Sequence, residues 1–104
     1  MNRIILPEED FLTDEQQNAL NEMCVLLSKN AQADFFMDFF ERLFTRAELK
    51  DFATRWLLVR ALDRGMTQRE IAQKYHISLC KITRGSKELK KQNSAFRRLL
   101  DSMN

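Results

Sequence analysis

Gly65-Met66-Thr67-Gln68-Arg69-Glu70-Ile71-Ala72-Gln73-Lys74-Tyr75-His76-Ile77-Ser78-Leu79-Cys80-Lys81-Ile82-Thr83-Arg84-Gly85-Ser86-Lys87 decides the fold. Thr67 and Glu70 have the spacing of a capping box, so a helix is expected over about 68–75, burying Ile71, Ala72 and Tyr75. His76-Ile77-Ser78 is the turn, and Ser78 caps a second helix whose inward contacts are Leu79, Ile82 and Leu89. Two short helices joined by about three residues cross at a steep angle, the geometry of a helix-turn-helix. The second helix carries Lys81, Arg84, Lys87, Lys90 and Lys91, side chains that reach phosphates or guanine edges. Gln68 and Arg69 open the first helix, where free backbone N–H groups favour a phosphate. Leu79, Cys80, Lys81, Thr83 and Arg84, at the exposed tip, are candidate groove residues. Leu79 and Cys80 fit either thymine methyls or a partly buried packing role.

Outward from this hairpin the chain reads as helices throughout. Thr13 with Gln16 starts a first helix with a stripe of Leu20, Met23, Cys24 and Leu27. Asp34 is the expected cap of the next, whose Phe35, Phe36, Met37, Phe39, Phe40, Leu43 and Phe44 are apolar nearly all round. Five of the eight Phe fall between Phe35 and Phe44, more apolar surface than a short helix hides in a small monomer, which points to burial between two subunits. Thr45 with Glu48 starts a helix to about Arg64, with Leu49, Phe52, Ala53, Trp56, Val59 and Leu62 in register and a length of about 28 Å. Gly65 stops it, because glycine reaches left-handed angles freely. Asn93-Ser94 breaks the chain again, and Ser94 caps a last helix with Phe96, Leu99, Leu100 and Met103. Residues 1–12 read as a flexible arm.

The 104 residues suit one domain, and their net charge of +2 hides an asymmetry. Residues 1–59 carry six Lys/Arg against eleven Asp/Glu, whereas residues 60–98 carry eleven against three. The basic half suits a phosphate backbone; a plain solubilising surface is the bland alternative. Cys24, Cys80 and the single His76 lack metal-ligand spacing, so no metal is expected. No run approaches a membrane span, and the opening Ile4-Ile5-Leu6 is too short for a signal sequence, so a cytoplasmic location is expected. Without a His/Cys cluster, a carboxylate pair or a phosphate loop, no catalytic residues are expected.

Thr54-Arg55, together with Thr67-Gln68-Arg69-Glu70-Ile71 through Ile82-Thr83-Arg84-Gly85-Ser86 and Leu89-Lys90, resembles the bacterial tryptophan repressor family over roughly Leu20 to Leu100. The resemblance implies an all-α, intertwined homodimer of about six helices per chain. The dimerisation core would be residues 13–64 and 94–104, with the helix-turn-helix at 67–91. It further implies a repressor that binds a palindromic operator in double-stranded DNA, with L-tryptophan as corepressor and no other cofactor. The DNA-binding set is then Gln68, Arg69, Ser78, Leu79, Cys80, Lys81, Thr83, Arg84, Lys87 and Lys90.

For the ligand, the resemblance implies that Arg55 and Arg84 flank the indole and help neutralise the carboxylate. A guanidinium over an aromatic face contributes about 0.5–2 kcal/mol. Thr45 would donate its hydroxyl to the carboxylate, and Arg42 and Phe44 would offer backbone carbonyls to the ammonium group. Val59 would line the slot and Gly85 would leave room for the ring. Plainer readings stand beside these: Arg55 as a surface residue, Thr45 as a cap only, Gly85 as a flexible point.

Three positions depart from the family pattern. Glu88 stands where the family has a Ser near the ligand carboxylate, and would weaken binding unless it swings out or pairs with Arg84 or the ammonium group. Lys81 replaces a hydroxyl near the reading tip. The linker Arg64-Gly65-Met66-Thr67 is one residue shorter than a common form. A regulator of the same fold with another corepressor, or none, is therefore the second reading. A helical domain that uses its basic face for an acidic protein partner is the third.

Overall fold

A computed structural model describes residues 11–103. Among them are six helices and no strand: α1 (Asp14–Ser28), α2 (Ala33–Leu43), α3 (Arg46–Asp63), α4 (Gln68–Tyr75), α5 (Leu79–Lys90) and α6 (Ala95–Asp101). The chain divides into two compact units between Phe44 and Thr45. Most of the expected N-terminal arm, residues 1–10, lies outside the described residues.

In the first unit, α1 begins as its sequence requires. Thr13 Oγ1 accepts from Gln16 N at 3.1 Å, and Gln16 Oε1 accepts from Thr13 N at 2.9 Å. The expected apolar stripe is only half realised: Met23 and Leu27 are half-buried, while Leu20 and Cys24 are exposed. The buried residues of α1 are polar, Gln17 and Asn21. Asp34 is not the cap of α2. The helix starts two residues earlier than that cap requires, after an extended Gln32 that makes no side-chain cap bond, and Phe36 N already donates to Gln32 O. Asp34 sits in the first turn, where its charge complements the helix N-terminus. The rings of Phe36, Phe40 and Phe44 follow one another at i, i+4, with centroids 6.2 and 6.0 Å apart. No residue of α2 is buried.

In the second unit, α3 is the element on which the others are built. Thr45 and Glu48 form a complete capping box at its start, with bonds of 3.1 and 2.8 Å. Gly65 ends it at φ +86°, with Gly65 N donating to Leu62 O and Met66 N to Ala61 O. This is the paired-bond helix stop that needs a left-handed residue. The core joins Leu58 and Ala61 of α3 to Ile71 of α4 and Ile82 of α5, with Leu62, Met66, Ala72, Tyr75 and Ile77 packed around them. Ile71 and Ile82 are 0% exposed.

The face of α3 differs from the expected register. Val59 is buried and Leu62 half-buried, but Phe52 and Ala53 are exposed, and the core contacts come from Leu58 and Ala61. Residues 56–62 are apolar on several faces, and the buried core contacts of the hairpin fall on that second half of the helix. Periodicity averaged over the whole helix therefore picks a different line.

The hairpin itself matches its reading. Ser78 Oγ accepts from Lys81 N at 3.3 Å, and Thr67 Oγ1 accepts from Glu70 N at 3.2 Å. The return bond of the Thr67 box differs. The Thr67 hydroxyl donates to Glu70 Oε1, so the box closes through side chains. Leu79 is exposed and contributes no inward contact. The turn is made by His76 at φ 55°, ψ 42°. Beyond α5, Asn93 at φ 59° turns the chain into α6, which Ser94 caps and Leu100 anchors. Leu99 and Met103, expected inside, are exposed. Arg97 of α6 pairs with Asp63 of α3.

Candidate nucleic-acid interface

Helical geometry divides α5 into two faces. Ile82 is buried, and Gly85, Ser86 and Leu89 are half-buried, a spacing of i, i+3, i+4 and i+7 that forms one stripe against α3. The opposite face carries Cys80, Lys81, Thr83, Arg84, Lys87 and Lys90, all exposed. Gln68, Arg69, Ser78 and Leu79 are exposed as well. All ten residues expected to touch DNA therefore lie on the surface of α4, the turn or α5. The first turn of α5 contains no acid and its last turn contains Lys87 and Lys90. Lys81 is engaged: its Nζ lies 3.8 Å from Asp51 Oδ1 on α3.

Gly85 has a packing role. A Cβ built there would lie 3.2 Å from Leu58 Cδ2 and 3.6 Å from Leu62 Cδ1. The missing side chain lets α5 approach α3, which fixes the angle at which the reading face is held.

Six of the eight expected ligand residues belong to the second unit. Arg55 and Val59 are on α3, Thr45 caps it, and Arg84, Gly85 and Glu88 are on α5. Val59 is 3% exposed, so it belongs to the wall of the unit and not to its surface. Arg55 donates to Asp51 Oδ2 at 3.2 Å. Thr45 Oγ1 is occupied as a cap acceptor, and its hydroxyl proton remains for an acceptor of another kind. Glu88 Oε1 accepts from Lys91 Nζ at 2.8 Å, so this carboxylate has a partner of its own. Arg42 and Phe44 end α2 in the first unit; the Arg42 side chain pairs with Asp38 at 3.2 Å.

The residue that sequence reasoning missed is Asp51. It borders a cleft of about 560 Å³ lined by α3, the His76–Ser78 turn and Lys81. Its i, i+4 spacing to Arg55 was a readable signal. Its approach to Lys81, thirty positions on, depends on how α5 docks.

Comparison with known proteins places the chain. The model of the family described as "Trp repressor protein" matches residues 18–104. A "Trp operon repressor homolog" of Chlamydia caviae is 39% identical over 92 residues, covering 88% of this chain and 91% of that protein. One from Chlamydia trachomatis serovar L2 is 37% identical over 90 residues, covering 86% and 96%. No solved structure matches. The chain belongs to the Trp repressor family, a regulatory DNA-binding family of transcriptional repressors and not of enzymes. No described helix is long and apolar enough to cross a membrane.

Proposed function

We propose that this member of the Trp repressor family binds a palindromic operator as a cytoplasmic homodimer, with L-tryptophan as its corepressor. The observation that carries the reading is the face of α5. One stripe is locked to α3 through Ile82 and Gly85, and the other presents Lys81, Thr83, Arg84, Lys87 and Lys90 outward. A reading helix must be held rigidly and be basic where it meets DNA, and this one meets both needs.

Residues 13–64 and 94–104 form the dimerisation core, and residues 67–91 form the reading head. The open apolar face of α2 is the natural seat of a second copy of the chain, because Phe35, Met37 and Leu43 are 40%, 57% and 51% exposed. L-Tryptophan takes the slot flanked by Arg55 and Arg84, with Thr45, Val59, Gly85 and Glu88 of the same unit around it. The ligand acts by population shift: it favours DNA binding only as far as it binds one position of the heads better than another.

The pairing of Glu88 with Lys91 supports tryptophan over the alternative of another corepressor, or none, since it offsets the charge facing the ligand carboxylate. The test is selection of bound duplexes from a random pool, with and without L-tryptophan. Enrichment of a palindrome only with L-tryptophan is expected. Equal enrichment without it would favour the alternative, and no enrichment in either arm would remove sequence-specific DNA reading.

A further inference from the structure

Asp51 lies where two cations meet. Its Oδ2 is 3.2 Å from an Arg55 guanidinium nitrogen, and its Oδ1 is 3.8 Å from Lys81 Nζ. Arg55 is one turn along the same helix and orients the carboxylate. Lys81 is on α5, at the third position after the Ser78 cap. A lysine there is badly placed for its own helix, because the N-terminus already carries partial positive charge. The first turn of α5 supplies no acid to offset it. Asp51, reaching across from α3, supplies that negative charge.

A DNA phosphate needs the same two features, a helix N-terminus and a lysine beside it. We propose that Asp51 is an intramolecular competitor of DNA phosphate at the start of the reading helix, holding Lys81 until a phosphate displaces it. The inference rests on the DNA-binding reading above and deepens it. Asp51 lowers affinity for the phosphate backbone without touching a base. Backbone attraction is sequence-independent, so Asp51 holds down attachment to arbitrary DNA and leaves the groove contacts to decide where the protein stays. Side chains at the clasp are half exposed, 53% for Asp51 and 51% for Lys81, so exchange with an incoming phosphate needs no opening of the core.

The experiment uses the full chain and a fluorescein-labelled mixed-sequence duplex of about 30 base pairs, read by anisotropy over about 50–200 mM KCl, the range in which phosphate contacts are strongly salt-dependent. Asp51→Asn keeps the shape and removes the charge. It should tighten binding about threefold to tenfold at the low-salt end and make the slope of log K against log salt more negative by about 0.9, the increment for one added phosphate contact. Lys81→Gln should weaken binding, and adding Asp51→Asn to it should then change nothing. Unchanged or weaker binding by Asp51→Asn overturns the proposal. So does an equal gain in the Lys81→Gln background, which would make the effect one of net charge alone. A wild-type chain that binds no duplex at any salt, with or without saturating L-tryptophan, would sink the DNA-binding reading itself, a result distinct from both. Thermal melts of each variant exclude loss of fold as the cause.

Discussion

Glu88 and Lys91 are joined by a 2.8 Å hydrogen bond at the end of α5, one helical turn apart. This pair makes the effect of the Glu88 charge on a ligand carboxylate depend on a neighbour. Lys91→Ala should leave the Glu88 carboxylate uncompensated and weaken L-tryptophan binding about twofold to fivefold, in keeping with the modest worth of a partly exposed pair. Adding Glu88→Ser should restore it. Calorimetry that finds Lys91→Ala without effect would show that Glu88 does not face the ligand.

Gly85→Ala separates packing from ligand clearance. The new methyl would press on Leu58, itself 4% exposed, at 3.2 Å. Overpacking costs about 1–3 kcal/mol, against a gain of about 1 kcal/mol from replacing a helical glycine. Overpacking should win, lowering the unfolding free energy by about 1 kcal/mol without any ligand present. Urea denaturation measures it. A stabilised variant would show that the space above Gly85 is open and that its role lies with the ligand alone.

His76 holds the hairpin turn in the left-handed region at φ 55°. His76→Val should cost about 1–3 kcal/mol, because a β-branched residue is strained there. His76→Gly should be neutral or slightly stabilising, since glycine adopts those angles freely. Thermal melts of the two variants should therefore move apart. Equal shifts would mean that the imidazole, and not the backbone angle, matters at this turn.

Ile71 and Ile82 are the pins of the reading head, each 0% exposed. Truncating either to Ala should cost about 2–5 kcal/mol through lost burial and the cavity left behind. A loss under about 1 kcal/mol, well below that range, would contradict the core described above.

Much of this was legible in the chain because local chemistry set it. Thr67, Ser78 and Gly65 mark their boundaries by hydrogen bonding and backbone freedom within a few residues, and α4 and α5 fall where those marks put them. Asp34 looks like a cap in the sequence because an acid in a first turn and an acid at a cap, two positions apart, give the same local signal. The core line on α3 was misread because Leu58 and Ala61 become inward only once α4 and α5 choose which apolar face to cover. Asp51 shows the same limit at the site: its bond to Arg55 is a matter of spacing, but its approach to Lys81 is made by tertiary packing. On α5 the exposed positions Cys80, Lys81, Thr83, Arg84, Lys87 and Lys90 follow from a helical stripe, whereas Leu79, read as both an inward and a groove residue, needed the structure to show that it is exposed.

Whether a free amino acid gates this DNA-reading fold is measured by calorimetric titration of the full chain with L-tryptophan. Indole-3-propionate, which lacks the ammonium group, is the control. Saturable, stereospecific binding at one site per chain is expected, with a different response to the control and loss of affinity in Arg84→Ala. Absence of heat, with no displacement by competing indoles, would contradict it. The reading head would then belong to a repressor with another corepressor, or none.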